Sequence, residues 1–188
     1  KNRNKLPLMF KINENFIEFL GLWLGDGSYD NRNKNVVIIS NQDDECREIF
    51  KEVSEELGSK YSVMNDKGVS QRIHSTIFYK FMRYVLGFEG YSSTKKIPDF
   101  VLNLSSNQLK HFIKGYFSAD GTVKKYEVSC TSQSRDLLDA LQGLLLRFGI
   151  IGRISKTLRK DKCLEMSISG NNIEKFKEIG FLQERKNQ

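Results

Sequence analysis

Two aspartates, Asp26 and Asp120, each end an apolar segment and are each followed by glycine. The segments are "FIEFLGLWLGDG" at 16–27 and "KHFIKGYFSADG" at 110–121. A single Asp-Gly pair after a helix most often forms a C-terminal turn, in which glycine adopts the left-handed conformation. Because the pair recurs after two similar helical segments, the pattern favours one site built from both carboxylates.

Small residues one helical turn apart precede both aspartates. They are Gly21 and Gly25 in the first segment and Gly115 and Ala119 in the second. Small side chains at this spacing let the backbone of another helix approach closely. We expect the two helices to pack against each other along these residues across a pseudo-twofold axis, which would bring Asp26 and Asp120 together at one edge of the molecule.

Two neighbouring carboxylates at helix C-termini repel each other and the negative ends of the helix dipoles. A divalent cation relieves this repulsion, and Mg²⁺ prefers oxygen ligands while keeping positions open for water and phosphate oxygens. Asp26 and Asp120 therefore predict metal-assisted phosphodiester hydrolysis, with Mg²⁺ or Mn²⁺ as the cofactor.

The elements that follow each segment also repeat along the chain. Each half continues with a β-rich stretch, an amphipathic helix ending in glycine, two strand-like runs and a further helix, found at 35–40, 42–58, 60–66, 69–75 and 76–88, and again at 126–132, 133–149, 152–159, 163–169 and 171–181. This order predicts an α+β fold of two pseudo-symmetric αββαββα half-domains with antiparallel sheets. We place the half-domains at 1–92 and 107–188, with a linker at 93–106, and Ser105 and Gln108 form a capping-box pattern where the second helix opens.

Composition and charge limit the class of protein and its partners. The 188 residues carry a formal net charge of +7, which favours a polyanionic partner such as double-stranded DNA. No apolar run approaches the length of a membrane span, and the basic N-terminus lacks the features of a secretory signal. Cys46, Cys130 and Cys163 are too widely spaced for a zinc motif or a disulfide framework. We expect a monomer in an intracellular, reducing compartment, with no membrane partner.

The two motifs resemble those of the LAGLIDADG homing endonucleases in their single-chain, two-motif form. "FLGLWLGDG" at 19–27 and "IKGYFSADG" at 113–121 match the nine-residue motif, with Asp26 and Asp120 as the catalytic acids. Both copies depart from the consensus at its earlier aspartate, which is Leu24 in one and Ser118 in the other; that position varies in the family and is not the metal-binding acid.

The resemblance implies two curved sheets that form a saddle over DNA, with the motif helices at the centre. It implies a metal site formed by Asp26 and Asp120 with the adjoining Gly25 and Ala119, and a double-strand break, with short 3′ overhangs, in a long and nearly asymmetric target. Splicing residues are not evident at the chain ends, which favours an intron-homing enzyme encoded as a free protein over an intein.

The family also places a polar or basic residue after the first long strand of each half, near the active site. By repeat position these residues are Gln42 and Gln133, and the alternative is that both are helix-start residues with no catalytic task. Because lysine is common there in the family, Lys124 or Lys125, shortly after the second motif, is the expected source of a cation instead.

Polar residues on or beside the strands are the candidate DNA contacts. Arginine can read guanine through two hydrogen bonds, whereas lysine and serine more often position phosphate. The candidates are Tyr29, Arg32, Lys34, Gln71, Arg72, Lys125, Glu127, Ser129, Arg153, Lys156, Arg159 and Lys160.

Three function classes remain open from the sequence. The first is a sequence-specific DNA endonuclease. The second binds nucleic acid without cutting, either as an RNA maturase that assists intron splicing or as a DNA-binding regulator. The third is a basic scaffold for protein partners. Retention of both Asp26 and Asp120 favours the first class, because a binding protein does not require two mutually repelling acids.

Overall fold

A computed structural model describes residues 11–30, 32, 35–64, 69–89, 91–157 and 163–187. The first half contains α1 (Glu14–Asp26), β1 (Gly27–Tyr29), β2 (Val36–Ser40), α2 (Asp44–Glu56), β3 (Lys60–Val63), β4 (Ser70–His74) and α3 (Thr76–Lys80). After the short helix α4 (Asp99–Leu102), the second half contains α5 (Ser106–Asp120), β5 (Gly121–Lys124), β6 (Glu127–Ser132), α6 (Arg135–Leu146), β7 (Arg153–Lys156), β8 (Leu164–Ser169) and α7 (Asn171–Lys177). The predicted α+β fold with two αββαββα halves is confirmed.

Each half forms one four-stranded antiparallel sheet. The strand orders are β1-β2-β4-β3 and β5-β6-β8-β7, so the two sheets have the same topology. One row across the first sheet is Ser28, Ile38, Arg72 and Ser62, and the matching row of the second is Thr122, Ser129, Ser167 and Arg153. The halves can therefore be compared position by position.

Helices α1 and α5 lie side by side in the interior of the molecule. Every residue of α1 from Phe16 to Leu24 is buried, and seven residues of α5 are buried as well. A helix that is apolar on all sides must be covered on all sides, and α1 is covered by α5, by α2 and by strands β1 and β2 of its own half. No helix in the described part of the chain is both long enough and apolar enough to cross a membrane.

The helix ends explain how the acids are presented. Asn13 caps α1 by accepting a hydrogen bond from the amide of Phe16 at 2.8 Å, and the predicted capping box at Ser105 and Gln108 is present. Gly27 and Gly121 have φ angles of −81° and −80°, so both are extended rather than left-handed. The chain therefore passes from each acid directly into a strand.

Two elements differ from the sequence-based expectation. The helix predicted at 76–88 is α-helical only to Lys80 and continues as a π-helix over Phe81–Val85. The predicted linker at 93–106 contains α4, and its Ile97 and Val101 are buried in the core. The connection between the halves is thus packed against the molecule.

Candidate active site

The interface between α1 and α5 depends on its small residues. A Cβ on Gly21 would collide with the carbonyl oxygen of Phe112 and would lie 2.8 Å from the amide nitrogen of Tyr116. A Cβ on Gly115 would collide in the same way with the carbonyl oxygen of Glu18. The helix backbones are therefore in direct contact, as the two pairs of small residues predict, and Gly25 lies against Ala119 at the end near the acids.

The far end of this interface is held by polar contacts. Glu18 is only 5% exposed, yet its Oε1 lies 2.7 Å from Nδ1 of His111 and accepts a hydrogen bond from Lys114 Nζ at 3.1 Å. Burying a carboxylate is unfavourable unless it is paired and hydrogen-bonded, and both conditions are met here. These contacts join the two halves at the end away from Asp26 and Asp120.

The two acids lie together where α1 and α5 end. The carboxyl carbon of Asp120 is 3.3 Å from the point that a Cβ on Gly25 would occupy, one residue before Asp26. Burial and the negative charge of Asp26 together raise the pKa of Asp120 to about 6, while Lys95 opposes the shift. Burial also raises the pKa of Asp26, against a hydrogen bond that Asn41 Nδ2 donates to its Oδ2 at 2.6 Å.

Two lysines that the sequence analysis did not select lie beside these acids. Lys95, from the connection between the halves, is buried and donates a hydrogen bond to the carbonyl oxygen of Gly25. Lys186, from the C-terminal turn, donates to the carbonyl oxygens of Ser118 and Gly121 at 3.0 and 2.9 Å. Each lysine therefore follows the last helix of its half and returns to the C-terminal end of that half's motif helix.

Burial lowers the pKa of both lysines, and nearby acids counter the shift. Asp120 and Asp26 favour the charged form of Lys95, while Asp43 and Asp26 do so for Lys186. A cation at a helix C-terminus is also favoured by the helix dipole. A lysine after the closing helix of each half is the sequence signal that could have identified both residues.

The cation expected from Lys124 or Lys125 is not at this site. Lys124 is on the exposed face of β5, where its Nζ donates to Glu127 Oε1 at 2.8 Å. Lys125 is in the turn between β5 and β6, with its Nζ 5.1 Å from the centre of the Tyr126 ring. That expectation is wrong because strand alternation directs Lys124 away from the helix ends.

Gln42 and Gln133 are exposed residues in the short turns that precede α2 and α6. Gln133 accepts a hydrogen bond from Ser92 Oγ at 3.4 Å. In the first half the contact to the acid comes from Asn41, one residue before Gln42. The catalytic role expected of Gln42 and Gln133 stays a prediction, and in the first half the neighbouring Asn41 makes the contact to the acid.

The C-terminal segment ties the second half to the first. Gln183 is fully buried, and its Nε2 donates to Asp43 Oδ2 and to the carbonyl oxygen of Ser118, both at 2.8 Å. Arg185 also pairs with Asp43. These contacts fix the turn that carries Lys186, so the position of that lysine depends on both halves.

The oxygen ligands at the helix ends suit a small divalent cation. Asp26 and Asp120 supply two carboxylates, one from each half. Among the described residues, no group of three or more His, Cys, Asp or Glu side chains could hold a metal. Mg²⁺ is commonly held by one or two carboxylates together with water and substrate phosphate. The donor set therefore fits such an ion.

Three of the predicted DNA contacts are instead buried. Tyr29 is 6% exposed, packs on Trp23 and donates its hydroxyl hydrogen to the carbonyl oxygen of Phe88 at 2.9 Å. Gln71 is fully buried and donates to the carbonyl oxygen of Asn41, because it shares the core face of β4 with Ile73. Ser129 is on the polar face of β6 but is covered by its neighbours.

The other predicted contacts divide into accessible and undescribed positions. Arg72 and Glu127 are half-buried on the polar faces of their sheets, and the exposed candidates are Arg32, Lys125, Arg153 and Lys156. Lys34, Arg159 and Lys160 lie outside the described residues. The accessible candidates are distributed over both halves.

Comparison with known proteins shows a family match in the second half and a shared fold over the whole chain. A family model for the LAGLIDADG-like domain matches residues 107–180. The structure of I-DmoI in complex with DNA and Ca superimposes with a TM-score of 0.71 at 18% identity, over 92% of this chain and 95% of that one. The second half of this chain thus matches the LAGLIDADG-like family, and the chain as a whole has the fold of the two-motif type. The N-terminal LAGLIDADG domain of DUF199/WhiA has the same fold, with a TM-score of 0.59 at 15% identity over 94% of this chain and 86% of that one.

Curated relatives contain a similar segment within much longer proteins. The replication factor C small subunit of Methanocaldococcus jannaschii is 30% identical over 189 residues, which cover 93% of this LAGLIDADG chain and 10% of the relative. The RNA polymerase subunit Rpo1C of the same organism is 31% identical over 193 residues, covering 98% of this chain and 21% of the relative. The chain thus spans about a tenth to a fifth of the length of these relatives.

Proposed function

We propose that this LAGLIDADG protein is a site-specific DNA endonuclease that makes double-strand breaks with the help of Mg²⁺ or Mn²⁺. The observation that carries the proposal is the pair of half-buried carboxylates, Asp26 and Asp120, at the adjoining ends of α1 and α5. The repulsion between these carboxylates and the burial of Asp120 both lower the stability of the folded protein. A protein that only binds DNA has no use for such an arrangement. I-DmoI, which has this fold, is named a homing endonuclease, and its structures include complexes with DNA and Ca or Mn.

Asp26 and Asp120 would hold the metal, with the backbone at Gly25 and Ala119 beside it. A divalent ion bound there polarises a phosphate and lowers the pKa of an attacking water. Asn41 orients Asp26 through its 2.6 Å hydrogen bond. Lys95 and Lys186 fix the backbone at the two helix ends and place positive charge beside the acids, where negative charge develops on the phosphate.

The two sheets would bind the DNA on either side of this centre. Their polar faces carry accessible residues such as Arg72 in the first half and Arg153 in the second. Because matched rows of the two sheets differ in side chains, the two half-sites of the target should differ in base sequence. The net charge of +7 supports binding to a polyanion of this kind, and we expect this activity inside a cell, as a monomer.

The match to the DUF199/WhiA domain favours one second candidate, a DNA-binding protein of this fold that does not cleave. The half-buried acid pair argues against that candidate. The replication and transcription roles named for the longer relatives belong to those whole proteins, of which this segment matches only a tenth to a fifth.

The decisive experiment is cleavage of a randomised double-stranded DNA library in Mg²⁺, followed by mapping of the ends. We expect discrete double-strand cuts with wild-type protein, and loss of cleavage with retained DNA binding for Asp26→Asn and for Asp120→Asn. Asp136→Asn, in the exposed first turn of α6, is the matched control and should cut normally. Wild-type rates for both active-site variants would contradict the proposal.

A further inference from the structure

The polar face of the second sheet differs in charge from that of the first. Its strands carry mostly serine and threonine, with two carboxylates, Glu127 on β6 and Glu165 on β8. Both carboxylate side chains are 31% exposed. On the DNA-binding surface of the proposed function, negative charge opposes contact with phosphate, so these side chains require a specific reason to be there.

The matching positions of the first sheet are not acidic. The register places Ser70 where the second half has Glu165, and Val36 where it has Glu127. One row further, the first half has Arg72 where the second has Ser167. Each sheet therefore carries one arginine in this row, Arg72 in the first and Arg153 in the second, whereas only the second sheet has carboxylates at the positions of Glu127 and Glu165.

Lys124 lies between the two carboxylates and distinguishes them. Its Nζ is 2.8 Å from Glu127 Oε1 and 3.9 Å from Glu165 Oε1. Glu127 therefore has a direct hydrogen-bonded partner, whereas Glu165 is held near a cation that leaves its oxygens available. The concave region beside it, about 430 Å³, is lined by Thr122, Lys124, Ser129, Cys130, Thr131, Lys156, Thr157 and Glu165.

The chemistry of base edges narrows what Glu165 can bind. In the major groove only cytosine N4 and adenine N6 donate hydrogen bonds. Adenine has its N7 acceptor beside N6, which would repel a carboxylate, whereas the neighbour of cytosine N4 is a C–H group. Guanine and thymine present only acceptors on their major-groove edges. A carboxylate in this position therefore selects cytosine.

We propose that Glu165, with Lys124 beside it, is a specificity-determining residue that selects one cytosine in the half-site bound by the second sheet. The proposal rests on the proposed function in requiring that this face meets the major groove of DNA, the groove that admits β-strands. Lys124 supplies positive charge that reduces repulsion between the carboxylates and the DNA backbone. The first sheet has Ser70 at the position of Glu165, so the two half-sites should differ at this row.

The test is base selection from a randomised DNA library by wild-type protein and by Glu165→Gln. Because glutamine both donates and accepts, it suits adenine N6 and N7. At one base pair of the selected sites, we expect the preferred base to change from cytosine to adenine. The ratio of the two base frequencies should shift by about 10-fold. Glu174→Gln on α7, which removes an exposed carboxylate paired with Lys177, is the matched control and should leave the profile unchanged.

Bound and cleaved DNA are sequenced separately, which distinguishes the two proposals. If wild-type protein selects sites without cutting them, the endonuclease proposal fails, while the bound pool still tests Glu165. An unchanged base profile for Glu165→Gln, in a variant whose thermal unfolding matches wild type, would overturn the assignment. Absence of any selected DNA would overturn both.

Discussion

Asn41 Nδ2 donates a hydrogen bond to Asp26 Oδ2 at 2.6 Å, and this contact makes the two acids of the site unequal. At the matching position of the second half stands Ser132, whose hydroxyl accepts a hydrogen bond from the amide of Ser134 at 3.1 Å. The Asn41 contact lowers the pKa of Asp26 against the effect of burial. Asp120, which burial and the charge of Asp26 raise to a pKa of about 6, is the acid more easily protonated.

Asp120 should therefore make the metal-free protein less stable as the pH rises. The folded protein retains this proton up to about pH 6, whereas the unfolded chain loses it near the ordinary value of 3.8. The contribution of Asp120 to the unfolding free energy is thus fully present below pH 4. It is lost between pH 4 and 6, by about 3 kcal/mol in total. Urea unfolding in a chelator, compared between wild type and Asp120→Asn, should show wild type losing stability relative to the variant over this range.

Divalent metal should reverse that loss. At pH 7.5, Mg²⁺ should raise the unfolding free energy of wild type and have little effect on Asp120→Asn, because a metal that binds only the folded state stabilises it, and more so the tighter it binds. Asp136→Asn serves as the control and should respond like wild type. An equal response to Mg²⁺ in Asp120→Asn would show that this carboxylate holds no metal.

The packing of α1 on α5 predicts a large effect of one methyl group. Gly21→Ala would place a Cβ against the carbonyl oxygen of Phe112, a backbone atom that cannot move without shifting the helix. We expect a loss of about 3 kcal/mol in unfolding free energy. Gly143→Ala, on an open face of α6 with no heavy atom within 4 Å of the added Cβ, should instead stabilise the protein by about 0.5–1 kcal/mol. Chemical denaturation of both variants makes the comparison, and similar effects would contradict the close contact.

Lys95 should be needed for cleavage more than for DNA binding. Lys95→Met keeps the length of the side chain but removes the buried charge beside Asp26 and Asp120. We expect the single-turnover cleavage rate to fall by about 100-fold, the usual effect of losing one preorganised donor, while DNA affinity changes little. Lys96→Met, which alters the exposed neighbouring residue, should retain the rate. Equal rates for the two variants would remove Lys95 from the active site.

The sequence predicted those features that depend on repetition and local spacing. The repeat fixed the element order, and the small residues at Gly21 and Gly115 indicated the central helix pair. Lys95 and Lys186 could not be predicted in the same way. They reach the acids through the tertiary packing of the connection between the halves and of the C-terminal turn, and neither segment has a periodic sequence pattern. Gln71 could have been recognised as buried, since it alternates with Ile73 on β4.

Tyr29 provides the sharpest contrast between a core residue and a DNA contact. Its ring packs on Trp23 with centroids 4.6 Å apart, and its hydroxyl is hydrogen-bonded to the carbonyl oxygen of Phe88. Tyr29→Phe leaves that buried carbonyl without its donor, so we expect a loss of about 1–3 kcal/mol in unfolding free energy and no change in DNA affinity. Arg72→Ala, on the polar face of the same sheet, should give the reverse, with weaker DNA binding and nearly unchanged stability. Weakened DNA binding by Tyr29→Phe at wild-type stability would restore Tyr29 as a DNA contact.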